Sequence, residues 1–494
     1  MNVILLIFDS LRRDCIGILG NPPWGKVKTS NLDRFAEESF ILGRCYPESL
    51  PTLPARRAIY TGIRVYPFNK DIYLKGDIKG SPGWGPIDED RSTLSEILQQ
   101  NGYTTCLISD VHHMFKPSKN FHRGFNQWQW IRGYEVDTYK SGPLPDRSEI
   151  DKYLPKEIQN EIRIDFLSQC LMNIQGVKQE EDYSVAKVMR QSVKWLEQNR
   201  DKDKLFLTIE AWSPHEPWFV PSYYREMYSA GYPQQVLSLY CDTSNISEDI
   251  IKGTQANYSG MVTMCDRWFG YLYEALSNMN MLDNTLIVIT SDHGHSLGEN
   301  KFLGKRGYPS SPEVFDTFVF LRHPDSSYGR GKKSNILLQH TDIPATILDI
   351  IGVEPKISDE RFKWTAYSKE LLGKQVFSQE SRVEKIDMHG RSFFEPLVND
   401  ESKFRENVTI GWGAAVTVIT DKWWFNCRVD GKGAFLYELN EGTVSQNIAD
   451  NNPDVVKELF NLALEDAGGS FPDYLVDMAK RQEDVPGCSV LAAF

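Results

Sequence analysis

The feature that most constrains this chain is a repeated junction, in which a short apolar run rich in β-branched residues stops at side chains able to do chemistry. There are four such runs: 3–8 before Asp9, 104–108 before Asp110, 205–209 before Ser213, Pro214 and His215, and 286–290 before Asp292 and His293. Runs this short and this uniformly apolar fit strands covered on both faces. The segments between them carry helical spacing. Leu32, Phe35, Ala36 and Phe40 fall on one helix face, and Leu94, Ile97 and Leu98 on another. Met261, Met264, Cys265, Trp268, Leu272, Tyr273 and Leu276 define a third. Strands alternating with helices predict an α/β fold, a large mostly parallel central sheet flanked by helices. Ligands in such sheets collect at the carboxyl ends of the strands, where the four junctions fall.

The end of the chain reads differently. Residues 414–420, 423–427 and 434–439 have strand character, Asp430-Gly431-Lys432-Gly433 is a turn signal, and 455–464 has helical spacing. At 494 residues the chain is longer than one core usually supports. The expected division is a catalytic domain at 1–404 and a small C-terminal α+β subdomain at 405–494, with the polar stretch 355–405 joining or covering the two. No internal repeat is apparent.

Composition excludes several classes. Lys and Arg number 55 against 67 Asp and Glu, a net charge of −12 with no basic block, so nucleic acid is not an expected partner. No apolar run approaches the ~18–20 residues of a membrane-spanning helix, and no membrane partner is expected. The first residues read as a strand and not as a signal peptide, which predicts a cytoplasmic protein. The eight cysteines are scattered without a CxxC pair, so neither structural zinc nor a disulfide framework is expected. Nothing in the sequence decides between a monomer and a homo-oligomer.

Three pieces carry chemistry. Asp9 ends the first strand, where a carboxylate can hold a divalent metal or simply cap a turn. Ser291-Asp292-His293-Gly294-His295 ends another strand and offers oxygen and nitrogen ligands, with Gly294 allowing a sharp turn. In Pro51-Thr52-Leu53-Pro54-Ala55-Arg56, a hydroxyl precedes an arginine by four residues at a helix start. That spacing suits a nucleophile whose oxyanion is held by a guanidinium and a helix N-terminus, although Thr52 taken alone reads first as a helix cap.

The order of Asp9, T-L-P-A-R-R-A-I-Y-T-G, P-H-E-P-W, S-D-H-G-H-S-L-G-E and G-K over roughly residues 1–350 resembles the sulfatase branch of the alkaline phosphatase superfamily. Phe435-Leu436-Tyr437-Glu438-Leu439 is similar to a family tail. The resemblance implies an alkaline-phosphatase-like sandwich and a hydrolase acting on small anionic esters. It matches Asp9, Asp292 and His293 to metal ligands, with Thr52 as both nucleophile and ligand. It further matches Arg56 to the arginine orienting the nucleophile, His215 to a histidine contacting the transferred group, and Lys305 to the lysine that binds anionic oxygens. His112 or His113 stands near another family histidine, whereas His340 reads as structural.

Departures from the family pattern sharpen the reading. Sulfatases of this branch place a cysteine or serine where Thr52 stands and convert it to formylglycine, whose second hydroxyl expels sulfate. Threonine has one hydroxyl, so no formylglycine is expected. Threonine nucleophiles occur in the related nucleotide pyrophosphatases/phosphodiesterases, which shifts the expectation to phosphate diesters or phosphonate monoesters. A sulfuric ester hydrolase, or an esterase accepting both, is the alternative, and a non-catalytic anion binder a third. Ser10 stands where many calcium-dependent members have a second aspartate, and His293 where they have asparagine, which favours Mn2+ or Zn2+ over Ca2+. Asp110 with His112, His113 and His215 forms a candidate second metal set. The leaving-group pocket is expected from loops 115–153 and 223–250.

Overall fold

The computed structural model describes residues 1–69, 82–229, 231–358, 383–439 and 446–481. Its centre is β1 (Asn2–Phe8), with all seven residues buried. Val3, Leu5 and Ile7 enter one core, and Ile4, Leu6 and Phe8 the other, as the two-residue period of a strand requires. This explains why the run lacks polar alternation, because both faces are covered.

Around β1 the sheet adds β2 (Phe40–Tyr46), β3 (Thr104–Ser109), β4 (Gln127–Trp130), β5 (Leu205–Ala211), β6 (Thr285–Ser291), β7 (Thr317–Arg322), β8 (Lys332–Ser334) and β9 (Leu338–Gln339). The order is β8-β2-β7-β6-β1-β5-β3-β4, with β9 also on β2. Pairing is parallel except where β7 runs against β2 and β6. Phe8 lies opposite both Ala211 and Ser291, so β1, β5 and β6 end at one level. Asp9 and Asp292 follow immediately, and that common level builds the site.

Helices α1 (Ser30–Glu37), α2 (Thr52–Thr61), α3 (Leu94–Gln100), α4 (Ser184–Asn199) and α5 (Glu248–Asn278) cover the sheet. The methionine- and aromatic-rich stripe of α5 is buried as its spacing predicts. Phe40 departs from expectation. It opens β2, because Phe40, Ile41 and Leu42 form a continuous apolar run that pairs with β7.

The C-terminal subdomain is an antiparallel sheet of β10 (Asn407–Trp412), β11 (Ala415–Thr420), β12 (Trp423–Arg428) and β13 (Phe435–Glu438), packed on α6 (Pro453–Asp466). The sequence reading missed β10. This strand also bonds to the catalytic part: Leu50 N donates to Gly411 O at 2.9 Å, and Gly411 N to Glu48 O at 3.0 Å. Within the stretch 355–405, Lys356–Ser358 pairs with Val383–Lys385, and residues 359–382 lie outside the described part. Among the described residues no helix is long and apolar enough to cross a membrane. Cysteines 15, 45, 106, 170, 241, 265 and 427 are unpaired, while Cys488 lies outside the described residues.

Candidate active site

Asp9, Thr52, Arg56, Asp292 and His293 come together with no solvent exposure. Pro51 is the N-cap of α2 and Thr52 its first residue, so the Thr52 hydroxyl does no capping. Instead Thr52 Oγ1 stands 3.3 Å from His293 Nε2. His293 Nδ1 lies 2.9 Å from the Gly294 carbonyl, which assigns the ring proton to Nδ1 and turns the Nε2 lone pair to the hydroxyl. Asp292 Oδ2 is 3.4 Å from the same Nε2. One ligand atom each from Asp9, Asp292 and His293 lie within 4.8 Å of one another.

Ser10 fixes the two carboxylates. Its N–H donates to Asp292 Oδ1 at 3.0 Å and its hydroxyl to Asp9 Oδ1 at 2.8 Å. This needs a left-handed backbone, φ 58°, at a non-glycine residue, a strained conformation of the kind that clusters at functional sites. Gly294 serves a different purpose from the turn expected of it. Its φ is not left-handed, but a Cβ there would lie 2.2 Å from the Glu313 carbonyl.

Arg56 ties the cluster together. Nη1 bonds Asp9 Oδ2 at 2.9 Å, the Thr52 carbonyl at 3.2 Å and Asp292 Oδ2, while Nε donates to Glu210 Oε2 at 2.9 Å. Glu210 also accepts from Tyr60 Oη at 3.0 Å. The sequence reading missed Glu210. An acid inside the otherwise apolar run Leu-Phe-Leu-Thr-Ile-Glu-Ala was the available signal. Burial, then the neighbouring Asp292, pushes the Asp9 carboxyl up, against the pull of Arg56. Burial, then the charge on Lys305, holds His293 neutral well below the usual imidazole range.

Lys305 and His215 form the other wall. Lys305 follows the short strand Phe302–Gly304, and its Nζ lies 2.9 Å from His215 Nε2. His215 Nδ1 donates to the Glu216 carbonyl at 2.8 Å. Next to this pair, His112 and His113 both direct Nε2 at Glu135 Oε2, at 3.4 and 3.7 Å. Asp110 does not join them. It accepts from Trp212 N at 2.6 Å and from Ser184 Oγ at 2.5 Å, tying the end of β3 to β5 and α4; burial raises its carboxyl to about 6. Glu135 takes the place expected of Asp110, and Glu135 and Glu216 are further residues the sequence reading did not single out. His340 borders the cluster beside the Ser291 backbone but turns Nε2 to Thr317 Oγ1 at 3.2 Å.

A cavity of about 430 Å³ opens beside Glu135 and Pro217, lined also by Trp130, Arg132, Tyr134 and Lys187. It uses the first of the two loops expected for a leaving-group pocket. Its other described lining comes from 170–187 and 217–219 and not from 223–250. Tyr223 and Tyr224 instead bond Glu180.

The arylsulfatase of Clostridium perfringens is 24% identical over 417 residues, 77% of this chain and 82% of that protein. The multifunctional alkaline phosphatase superfamily protein PehA of Trinickia caryophylli is 24% identical, over 73% of this chain and 76% of its own. Among solved structures, the phosphonate monoester hydrolase of Agrobacterium radiobacter superposes with a TM-score of 0.67 at 17% identity, covering 94% of this chain and 95% of its own. The Sulfatase family profile matches residues 1–353. With an alkaline-phosphatase-like sheet and that match over most of its length, the chain belongs to the Sulfatase family and is an ester hydrolase.

Proposed function

We propose that the chain hydrolyses phosphate diesters or phosphonate monoesters through Thr52 as nucleophile. The observation that carries this reading is the buried, non-capping Thr52 hydroxyl facing His293 Nε2 at 3.3 Å, at the N-terminus of α2. A single hydroxyl can attack phosphorus and be released by water, but it cannot expel an ester by collapsing to an aldehyde.

The residues present fit the divalent metal that members of the superfamily use. Asp9, Asp292 and Glu210 set three buried carboxyl groups around the Arg56 guanidinium, an acid-rich pocket whose negative charge a divalent cation would offset. His293 Nε2 stands 3.3 Å from Thr52 Oγ1 and 3.4 Å from Asp292 Oδ2, close to the ~3.3 Å edge of a tetrahedron with metal–ligand bonds of about 2.0–2.1 Å. Asp9, Asp292, His293 and Thr52 would hold the ion, and the imidazole favours Mn2+ or Zn2+ over Ca2+. When bound, the ion supplies Lewis-acid stabilisation and lowers the pKa of the threonine hydroxyl.

The chain's own groups do the rest. Arg56 fixes α2 through the Thr52 carbonyl and so aims the hydroxyl. The Oγ–phosphorus bond forms as the bond to the leaving oxygen breaks, and the proton lost from Thr52 returns to the departing alcohol. Water then attacks phosphorus, and Thr52 leaves with a proton. Lys305, held in place by His215 Nε2, neutralises the non-bridging oxygens, and the Lys305–His215 pair serves the leaving group as proton carrier. The cavity beside Glu135, where Arg132 lies 4.0 Å over the Trp130 ring, receives the leaving group.

Hydrolysis of sulfuric esters is the second reading, supported by the similarity to the arylsulfatase over 82% of that protein's length. The test compares four p-nitrophenyl esters (phosphate monoester, phosphate diester, phosphonate monoester and sulfate) with wild type and Thr52→Ala, each with Mn2+, Zn2+ or Ca2+. Fastest turnover of diester or phosphonate, lost in Thr52→Ala, supports the proposal. Dominant sulfate turnover overturns it in favour of the second reading.

A further inference from the structure

We infer that His112, His113 and Glu135 form a second divalent-metal site, selective for Zn2+-type ions, on the cavity side of His215. The site is separate from the Asp9–Asp292–His293 cluster and does not depend on the reading of Thr52 as nucleophile.

His112 and His113 are consecutive in a single 3-10 turn, and their rings lie side by side with centroids 3.9 Å apart. Both present Nε2 to the same Glu135 Oε2, at 3.4 and 3.7 Å. These separations exceed the 2.7–3.2 Å of a nitrogen–oxygen hydrogen bond. They sit instead near the ~3.3 Å edge expected between ligands of a tetrahedral ion with bonds of about 2.0–2.1 Å. Two imidazoles and a carboxylate are a zinc donor set, and all three residues are buried, at 1%, 1% and 4% exposure. The ligand atoms of the three lie within 4.8 Å of one another.

The backbone is shaped to deliver Glu135. Its φ is 49°, left-handed at a residue with no small-side-chain excuse, and its carbonyl is pinned by Asn173 Nδ2 at 2.9 Å. Such strain persists where the surroundings hold a side chain in a required place. Second-layer groups continue the pattern. A carboxylate oxygen of Glu216 lies within 4.8 Å of that of Glu135, and Glu216 Oε2 is 3.9 Å from His295 Nδ1. His215 is not a ligand in this assignment, because Nδ1 is committed to the Glu216 carbonyl and Nε2 to Lys305. An ion here lies beside the cavity that carries Arg132 and Lys187, so it would also attract an anionic leaving group.

Metal content of the full-length enzyme tests the inference without recourse to activity. The protein is stripped with chelator, reloaded with Zn2+, freed of unbound ion and analysed for zinc per chain. Wild type is expected to hold two, Glu135→Gln one and Asp292→Asn one. Co2+-loaded Asp292→Asn should keep the intense visible absorption of a tetrahedral site, and His113→Gln should lose that part of the spectrum. One ion in wild type that Asp292→Asn keeps and Glu135→Gln loses supports this site while removing the metal from the Thr52 cluster. One ion that Glu135→Gln keeps and Asp292→Asn loses overturns it and leaves the first site standing. Should Glu135→Gln not fold, zinc titration of stripped wild type decides: two equivalents bound support the site, and one equivalent with no tetrahedral cobalt signal in Asp292→Asn overturns it.

Discussion

Arg56 donates through Nε to Glu210 Oε2 at 2.9 Å, so the guanidinium that touches Asp9 and Asp292 is anchored from behind by a third buried carboxylate. The arrangement fixes the arginine's plane before any substrate arrives. Glu210 sits on β5, Asp9 after β1, and Asp292 after β6, so one side chain reads out the register of three neighbouring strands. Preorganisation of this kind avoids reorganisation when negative charge develops on the transferred group.

Glu210→Gln keeps the shape of that contact and removes its charge. Breaking a buried ion pair by neutralising one partner costs about 3–5 kcal/mol. Part of that is offset here, because Asp9 and Asp292 still hold Nη1. The expected outcome is a lower midpoint in thermal unfolding and at least tenfold lower kcat with KM little changed. Equal kcat in the variant would mean that Arg56 needs no rear anchor.

Much of this site was legible before the structure. Asp9, Thr52, Arg56, Asp292 and His293 lie at strand ends or a helix start, where local pattern and chemistry coincide. Glu210 and Glu135 were not legible in that way. Glu210 is reached through Arg56, a contact 154 residues away in sequence, and Glu135 sits in irregular chain with no period to flag it. Asp110 illustrates the opposite error. Its position after β3 matched the other strand-end acids, yet the nearest donors are Ser184 and the Trp212 amide, so it braces the strands instead. β10 was missed although its pairing with β11 is local, Trp412 facing Ala415 across a two-residue turn; only its bonds to the stretch before Thr52 are tertiary.

Lys305 Nζ lies 2.9 Å from His215 Nε2, and the proposed mechanism assigns it the anionic oxygens. Removing one preorganised donor to a transferring group costs about 10²–10³ in kcat. Lys305→Ala is expected to fall in that range on every ester the enzyme accepts, with Lys305→Arg recovering part of the loss. His215→Ala should release the lysine and show a smaller loss. Steady-state kinetics of the three variants checks the order, and a Lys305→Ala enzyme as active as wild type would remove the lysine from the mechanism.

The C-terminal subdomain reaches the start of α2 through Gly411. Its backbone bonds Glu48 and Leu50, the latter directly before Pro51–Thr52, and an added Cβ would stand 2.1 Å from Tyr66 Cδ2. Tyr66 is 1% exposed and packed against Phe68 and Phe471, so it has little room to yield. Gly411→Ala is therefore expected to destabilise the protein by about 1–3 kcal/mol through overpacking. It should also lower kcat, because the strain is released towards the turn that carries Thr52. Differential scanning calorimetry with parallel kinetics separates the two effects; a stable variant with unchanged kcat would show that the subdomain does not position Thr52.

His340 provides a pH signature of the fold itself. Burial, only partly offset by the nearby Ser291 backbone, holds its imidazole at about 3, against an ordinary value of 6.5. The folded chain therefore keeps the ring neutral where the unfolded chain protonates it. Between pH 6.5 and 3 the unfolded state binds more protons, so the contribution is fully present above 6.5 and is lost as pH falls through that window. The slope approaches about 1.4 kcal/mol per pH unit. Asp9 and Glu48, whose carboxyls burial pushes upward, act with the opposite sign, so absolute stability curves mix the two. The informative quantity is the difference between wild type and His340→Gln, which removes the titrating ring while keeping polar groups next to Thr317. Urea unfolding at pH 6.5, 5.5 and 4.5 should show wild type losing about 2–3 kcal/mol more than the variant over that range. Parallel curves would mean that the ring protonates in the folded state and that its burial does not control the acid limit of the fold.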